Sequence, residues 1–298
     1  MIRLNALTKR HGGTLAVDGL TFEVRPGLVT GFLGPNGAGK TTTMRMILGL
    51  DLPTSGTVTV GGWRYRDLET PLREVGSLLE AQSVHPRRTA RDHLLYLARS
   101  SGLPDRRVGE VLDLVGLSDA AGYPAGGFSL GMCQRLGIAA ALLGDPPVLV
   151  LDEPVNGLDP EGVLWIRTLL RGLAAEGRTV LVSSHLMSEM AVTADRLVVI
   201  GRGRLIAEGD VEDFTGAGAE VLVRVAERAG FGRLLELAGA HVRAHGDELV
   251  VTGMPAPDIG RLAASEGVAL AELTPRRASL EDTFMELTRD SVEFGAAL

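Results

Sequence analysis

The chain contains one cysteine, Cys133, in 298 residues. That excludes a disulfide framework and a cysteine-rich zinc site, and it fits a reducing compartment. Lysine is nearly as scarce. Of 30 basic residues only Lys9 and Lys40 are lysine, the rest being arginine. No stretch approaches the roughly 18 apolar residues that read as a bilayer span, and Met1-Ile2-Arg3-Leu4-Asn5 carries no leader-like apolar core. Positive charge is in deficit too: 37 acidic residues give a net charge of −7. This balance argues against a chain held to nucleic acid through phosphate contacts. His85, His93, His241 and His245 have no acidic or cysteine partners at ligand spacing and read as structural or surface residues. Repeats of solenoid length are also missing.

Apolar residues make up 45% of the chain, enough for buried cores, and the length suits one large domain with a smaller one. Gly34-Pro35-Asn36-Gly37-Ala38-Gly39-Lys40-Thr41 fits G-x-x-x-x-G-K-[ST], the phosphate-binding loop of nucleotide hydrolases. Before it, Leu28–Leu33 is an apolar run of strand length. After it, Thr42–Leu50 sets Met44, Ile47 and Leu48 on one helical face. This is the strand–loop–helix context the motif requires. Glycines let backbone N–H groups close around a polyphosphate, and the helix N-terminus adds partial positive charge. Lys40 is expected to reach the outer phosphates and the Thr41 hydroxyl to bind Mg²⁺, with Thr42 closing the cradle. An arginine-rich chain that keeps lysine in this slot suggests a position that accepts a compact point charge and not a planar fork.

The first thirty residues alternate as strands, Ile2, Leu4 and Ala6 and then Leu20, Phe22 and Val24, around a basic loop expected over Thr8–Gly13. Thr57–Val60 is a further strand between glycine-bearing turns. From about Pro86 to Asp145 the pattern is helical, with a capping-box start at Thr89-Ala90-Arg91-Asp92, an apolar stripe at Val108, Val111, Leu112 and Val115, and a third helix from about Ser129. This block reads as an inserted subdomain. Val148–Leu151 and Thr179–Ser183 are continuous apolar runs, expected as parallel strands buried on both faces. Pro160–Gly177 lies between them as a helix, and Arg196–Ile200 with Arg204–Ala207 form a hairpin. A glycine-rich break at Thr215-Gly216-Ala217-Gly218 precedes a βαββαβ pattern from Glu220 to Leu273 and a last helix from Ser279.

Three more stretches follow the phosphate loop in order. They are Ser129-Leu130-Gly131-Met132-Cys133-Gln134-Arg135, then Leu149-Val150-Leu151-Asp152-Glu153-Pro154 running into Asn156-Gly157-Leu158-Asp159-Pro160, then Ser183-Ser184-His185. Their order and spacing resemble the nucleotide-binding subunits of ABC transporters over about residues 1–212. Tail included, the chain looks most like the single-domain ATPases of bacterial drug and antibiotic-peptide exporters. The resemblance implies an α/β P-loop NTPase core, domain 1–215, with an antiparallel β part and the helical subdomain at about 86–145. A small α+β ferredoxin-like domain over 216–298 is expected beside it.

The same resemblance implies the site. ATP and Mg²⁺ are its cofactors. Asp152, at a strand end where ligands of parallel sheets bind, holds Mg²⁺ with Thr41. Glu153 orients the attacking water, Lys40 serves catalysis, and His185 resembles the switch histidine at the γ-phosphate. Asn156–Asp159 resembles the loop linking two sites across a dimer, and Ser129 and Gly131 resemble the signature segment that caps the partner's nucleotide. The chain departs from the family pattern at four places. Phe128, Leu130 and Met132 stand in signature positions, so Leu130 must point away from the phosphate. Glu80, with Gln82 competing, stands where a glutamine senses the metal. His11 occupies the slot of the adenine-stacking tyrosine, and Cys133 lies in the signature helix as a packing residue. The implied partners are a separate membrane permease and a second copy of the chain, at the inner face of the cell membrane. A soluble ABC ATPase acting on ribosomes or DNA is the rival. It is disfavoured by the single phosphate loop and by an acidic excess from residue 216 onward. A nucleotide-dependent regulator with little turnover is the other alternative.

Overall fold

The computed structural model describes residues 1–81, 83–216, 220–276 and 280–289. The alternating N-terminal segments pair as strands β1 (Ile2–His11) and β2 (Thr14–Val24), antiparallel with Ile2 opposite Val24. The basic stretch expected as a loop over Thr8–Gly13 is strand as far as His11, and only Gly12 and Gly13 turn. Register shifts between Leu7, Lys9 and Arg10 break the strict alternation there, which hid the strand. Next come β3 (Val29–Leu33), α1 (Lys40–Ile47) and β4 (Ser55–Val60), the last pairing with β1 to complete a sheet of order β2-β1-β4.

The chain continues through α2 (Pro71–Glu74) and β5 (Val75–Leu78) into three helices, α3 (Ala90–Ser100), α4 (Arg106–Leu114) and α5 (Leu130–Leu142). Helix α3 starts where the sequence signals: Thr89 Oγ1 accepts from the Asp92 N–H at 3.0 Å and donates to the Asp92 carboxylate at 2.7 Å. Such a cap contributes about 1 kcal/mol. The three helices pack on one another through Leu94, Val111, Leu112 and Leu136, all buried.

Strand β6 (Val148–Asp152), α6 (Pro160–Ala175), β7 (Thr179–Ser183), α7 (Met187–Thr193), β8 (Arg196–Gly201) and β9 (Arg204–Asp210) complete the first unit. With β3 and β5 they form a six-stranded sheet of order β5-β6-β7-β3-β8-β9, in which β5–β6, β6–β7, β7–β3 and β3–β8 pair in parallel. Every residue of β3 and β7 is buried, as continuous apolar runs require of strands covered on both faces. Phe22 of β2 meets Phe32 of β3 with ring centroids 5.5 Å apart, so the antiparallel and parallel sheets share one core. Burying each ring contributes about 1.5–3 kcal/mol.

Two compact units divide the chain. One comprises Met1–Gly209 with the described residues from Leu287 on, and the other Asp210–Glu286. The division falls before α8 (Val211–Gly216) and not in the glycine-rich stretch, whose Ala217 and Gly218 lie outside the described residues. The second unit follows with β10 (Glu220–Val225), α9 (Arg228–Leu237), β11 (His241–His245), β12 (Glu248–Thr252), α10 (Ala256–Ser265), β13 (Leu270–Arg276) and α11 (Leu280–Thr288). Its strands make an antiparallel sheet of order β11-β12-β10-β13. Val221, Val223, Phe231, Leu235 and Ile259 form its core. Ser279, expected to open the last helix, and Gln82 lie outside the described residues. Among the described residues, no helix is long and apolar enough to cross a membrane.

Candidate active site

The carboxyl ends of β3, β6 and β7 meet at one edge of the parallel sheet, and each carries a different kind of group. From β3 the chain turns through Gly34–Gly39 into α1. Gly39 sits just before the helix at φ 101°, and a Cβ there would come within 2.5 Å of the Ala16 carbonyl oxygen. Only glycine meets both conditions. The loop is pinned from outside by the Gly203 N–H, which donates to the Ala38 carbonyl at 3.0 Å. The first N–H groups of α1 have no carbonyl behind them within the helix and face the site with the positive end of its dipole.

Lys40 is buried, and its ammonium donates to the Gly34 carbonyl at 2.5 Å and the Pro35 carbonyl at 3.3 Å. Burial lowers its pKa from the ordinary lysine value, against the opposing pull of Glu153 and Asp152. A group desolvated in this way is a ready partner for an anion.

Two acidic side chains stand at the end of β6. The Thr41 hydroxyl donates to Asp152 Oδ2 at 2.7 Å, while Ser183 donates to the other oxygen of Asp152. Ser183 is fully buried and faces Asp152 across the parallel pair β6–β7. The same Ser183 oxygen accepts from the Glu153 N–H at 3.0 Å. Glu153 adopts φ 50°, a left-handed conformation that non-glycine residues uncommonly take. Its Oε2 lies 2.8 Å from His185 Nδ1.

A cavity of about 300 Å³ lies between these groups. It is lined by Asn36–Thr42, by Asp152 and Glu153, and by Ala16 of β2. Thr41 Oγ1 and Asp152 Oδ2 are hard oxygen donors, close enough to share one small cation. That donor set suits Mg²⁺.

The structure thus brings Asn36, Gly37, Ala38, Gly39, Lys40, Thr41, Thr42, Asp152 and Glu153 to one cavity, with His185 on the rim through Glu153. The remaining expected residues stand elsewhere. His11 is exposed at the end of β1. Glu80 is exposed in a turn after β5, its carbonyl accepting from the Ser83 N–H and hydroxyl. Ser129 caps α5, accepting from the Met132 N–H at 3.2 Å, and Asp159 caps α6, accepting from the Gly162 N–H at 2.9 Å. Leu130 is 46% exposed and leans over Gly157. Burial pushes the Cys133 thiol up, the reverse of an activated nucleophile.

Sequence reasoning missed three contributors. Ala16 lies in a strand that shows no chemistry. Ser183 stands out in the sequence only as part of Ser-Ser-His. Gln134, a buried amide in α5, donates to the Glu153 carbonyl at 3.0 Å. Nothing local in the sequence joins Gln134 to a residue of another element.

A model described as "ABC transporter" matches residues 17–156, and a domain of unknown function matches residues 219–281. The chain is 36% identical to the bacitracin transport ATP-binding protein BcrA of Bacillus licheniformis, over 96% of this chain and 97% of that one. It is 38% identical to the Nod factor export ATP-binding protein I of Burkholderia orbicola, over 94% of each. Among solved structures it resembles a dimeric, post-hydrolysis ATP-binding cassette bound to ADP and phosphate. There the TM-score is 0.65 at 26% identity, over 71% of this chain and 99% of that one.

Proposed function

The chain belongs to the ATP-binding proteins of ABC transporters, and from that membership we propose that it drives export of an antibiotic, drug or lipid-like substrate through a separate permease. It is an ATP hydrolase of that family. The observation that carries the reading is the cavity with the phosphate-loop residues Asn36–Thr42 on one wall and Asp152–Glu153 on the other. Backbone N–H groups and Lys40 bind the phosphates and align the γ-phosphoryl group. Thr41 and Asp152 would hold Mg²⁺, which would supply positive charge against the phosphates. Glu153 accepts the proton of a water whose oxygen bonds to the γ-phosphorus as the bond to the β-phosphate oxygen breaks and ADP leaves. His185, bonded to that carboxylate, holds its orientation and reads the γ-phosphate.

The ATPase domain, expected over 1–215, ends in this reading at Gly209, with about 86–145 as its helical subdomain. The strand order β11-β12-β10-β13 on a βαββαβ chain supports a ferredoxin-like reading of 216–298. Ser129 and Gly131 at the start of α5 close over the nucleotide of a second copy. An exposed helix N-terminus capped by its own serine supports that role. His11 stacks on adenine, Glu80 senses the metal from its turn, and Asp159 with its loop joins the two sites. Such a subunit works on the inner face of the cell membrane, against its permease.

Light scattering after gel filtration tests the reading. The Glu153→Gln variant is expected to run as a dimer with ATP and Mg²⁺ and as a monomer without ATP, and Lys40→Ala to stay monomeric in both. A Glu153→Gln variant that stays monomeric at saturating ATP contradicts it.

A further inference from the structure

Glu153 is the residue whose aim matters most at this site, and its backbone is held in a conformation that costs energy. A non-glycine residue at φ 50° is strained by about 1–3 kcal/mol unless its surroundings fix it. Two side chains fix it from opposite sides. Ser183 accepts the Glu153 N–H at 3.0 Å, and Gln134 donates its amide to the Glu153 carbonyl at 3.0 Å. The first clamp comes from the neighbouring strand of the same sheet. The second comes from a helix of the same unit, because Gln134 belongs to α5, whose first turn follows Ser129 and carries Gly131.

The environment of Gln134 argues against a passive role. It is 4% exposed, in a helix whose other buried side chains are apolar. A polar amide in such a position is costly unless its hydrogen bond is made. Leucine or methionine would pack there without that condition, so the amide is explained by the carbonyl it meets. Helix α5 is itself tied down: Arg135, the next residue, donates to the Val115 carbonyl at 2.9 Å and lies 4.5 Å over the Trp165 ring of α6. Gln134 therefore sits on a braced segment, and a displacement of α5 is carried to the Glu153 carbonyl.

We infer that Gln134 is a positioning residue for hydrolysis. It holds the Glu153 backbone in the left-handed conformation that brings the carboxylate to His185, and so ties the aim of Glu153 to the position of the helix that begins at Ser129. The inference rests on the reading of Glu153 as the water-activating carboxylate. It adds that the same chain's α5 governs whether that carboxylate is aimed.

Steady-state phosphate release and the affinity for a fluorescent ATP analogue, measured on Gln134→Leu, Gln134→Glu and Glu153→Gln in the full chain, test it. Gln134→Leu keeps the volume and loses the donor. Gln134→Glu keeps the shape and sets an acceptor against the Glu153 carbonyl. Both are expected to lower kcat about tenfold or more, with analogue affinity within twofold of the parent. A pure packing defect would lower rate and affinity together, and that outcome overturns the inference. So does a parental kcat in either folded variant while Glu153→Gln is inactive. Should Gln134→Leu fail to fold, Gln134→Glu carries the same expectation. If Glu153→Gln itself turns over ATP at the parental rate, both this inference and the reading beneath it fall.

Discussion

The imidazole Nδ1 of His185 lies 2.8 Å from Oε2 of Glu153, joining the second residue after the end of β7 to the first residue after the end of β6. The His185 N–H also approaches the same carboxylate oxygen, at 3.4 Å. The carboxylate is thus positioned before any substrate arrives. Replacing His185 by alanine removes the ring and leaves Glu153 to rotate. Phosphate release is expected to fall by roughly 10²-fold or more, in the range that acid–base positioning contributes, while nucleotide affinity changes little. An equal loss in both would place His185 in binding alone.

Ser183 serves two residues at once, donating to Asp152 and accepting from the Glu153 N–H. It is fully buried, so removing its hydroxyl leaves a buried N–H and a carboxylate oxygen short of partners. Ser183→Ala is expected to cost about 1–3 kcal/mol of stability in denaturant unfolding and to weaken the Mg²⁺ dependence of turnover. A variant as stable as the parent would show that water replaces the hydroxyl.

Gly157 has φ 76°, and a Cβ on it would collide with Leu130. The leucine where family members carry glycine is accommodated because the opposing loop has no side chain. Gly157→Ala is therefore expected to lower turnover by displacing the start of α5, and the double variant Gly157→Ala with Leu130→Gly to recover part of it. A Gly157→Ala variant with parental activity would separate this contact from function.

His93 in α3 has a buried Nδ1 with no hydrogen-bond partner. Burial, and then the charge of Arg88, hold its pKa below the ordinary 6.5. The folded state therefore binds this proton less readily than the unfolded chain. Stability is full above the unfolded value and is lost as pH falls from about 6.5 toward the lowered folded value. Melting temperatures at about pH 7.5 and about pH 5.5 should differ more in the parent than in His93→Gln. Equal differences would show that other groups set the acid limit.

Much of this was legible in the chain because the chemistry sits where strands end. Continuous apolar runs marked β6 and β7, and polar residues directly after them had to lie at the sheet's edge. Gly39 and Lys40 are defined by backbone geometry that few sequences satisfy. Other elements left weaker marks. Strand β5 is Val75-Gly76-Ser77-Leu78, four residues with one β-branched side chain, and it escaped notice. Helix α7 has seven residues, too few for a period to show. The Gln134–Glu153 contact joins two elements, and no local pattern encodes such a pairing. The role of Glu153 was legible through the resemblance, but its left-handed backbone was not, since that is imposed by its neighbours and not by its own preference.

The central claim is that one cavity, with Lys40 on one wall and Glu153 on the other, hydrolyses ATP. Steady-state phosphate release by the parent, Lys40→Ala and Glu153→Gln, each with Mg²⁺ present, tests it most directly. The account predicts that the parent turns over, and that Glu153→Gln binds nucleotide but is slowed by roughly 10²–10⁴-fold. Lys40→Ala should both bind poorly and fail to turn over. Parental rates in both variants would contradict it.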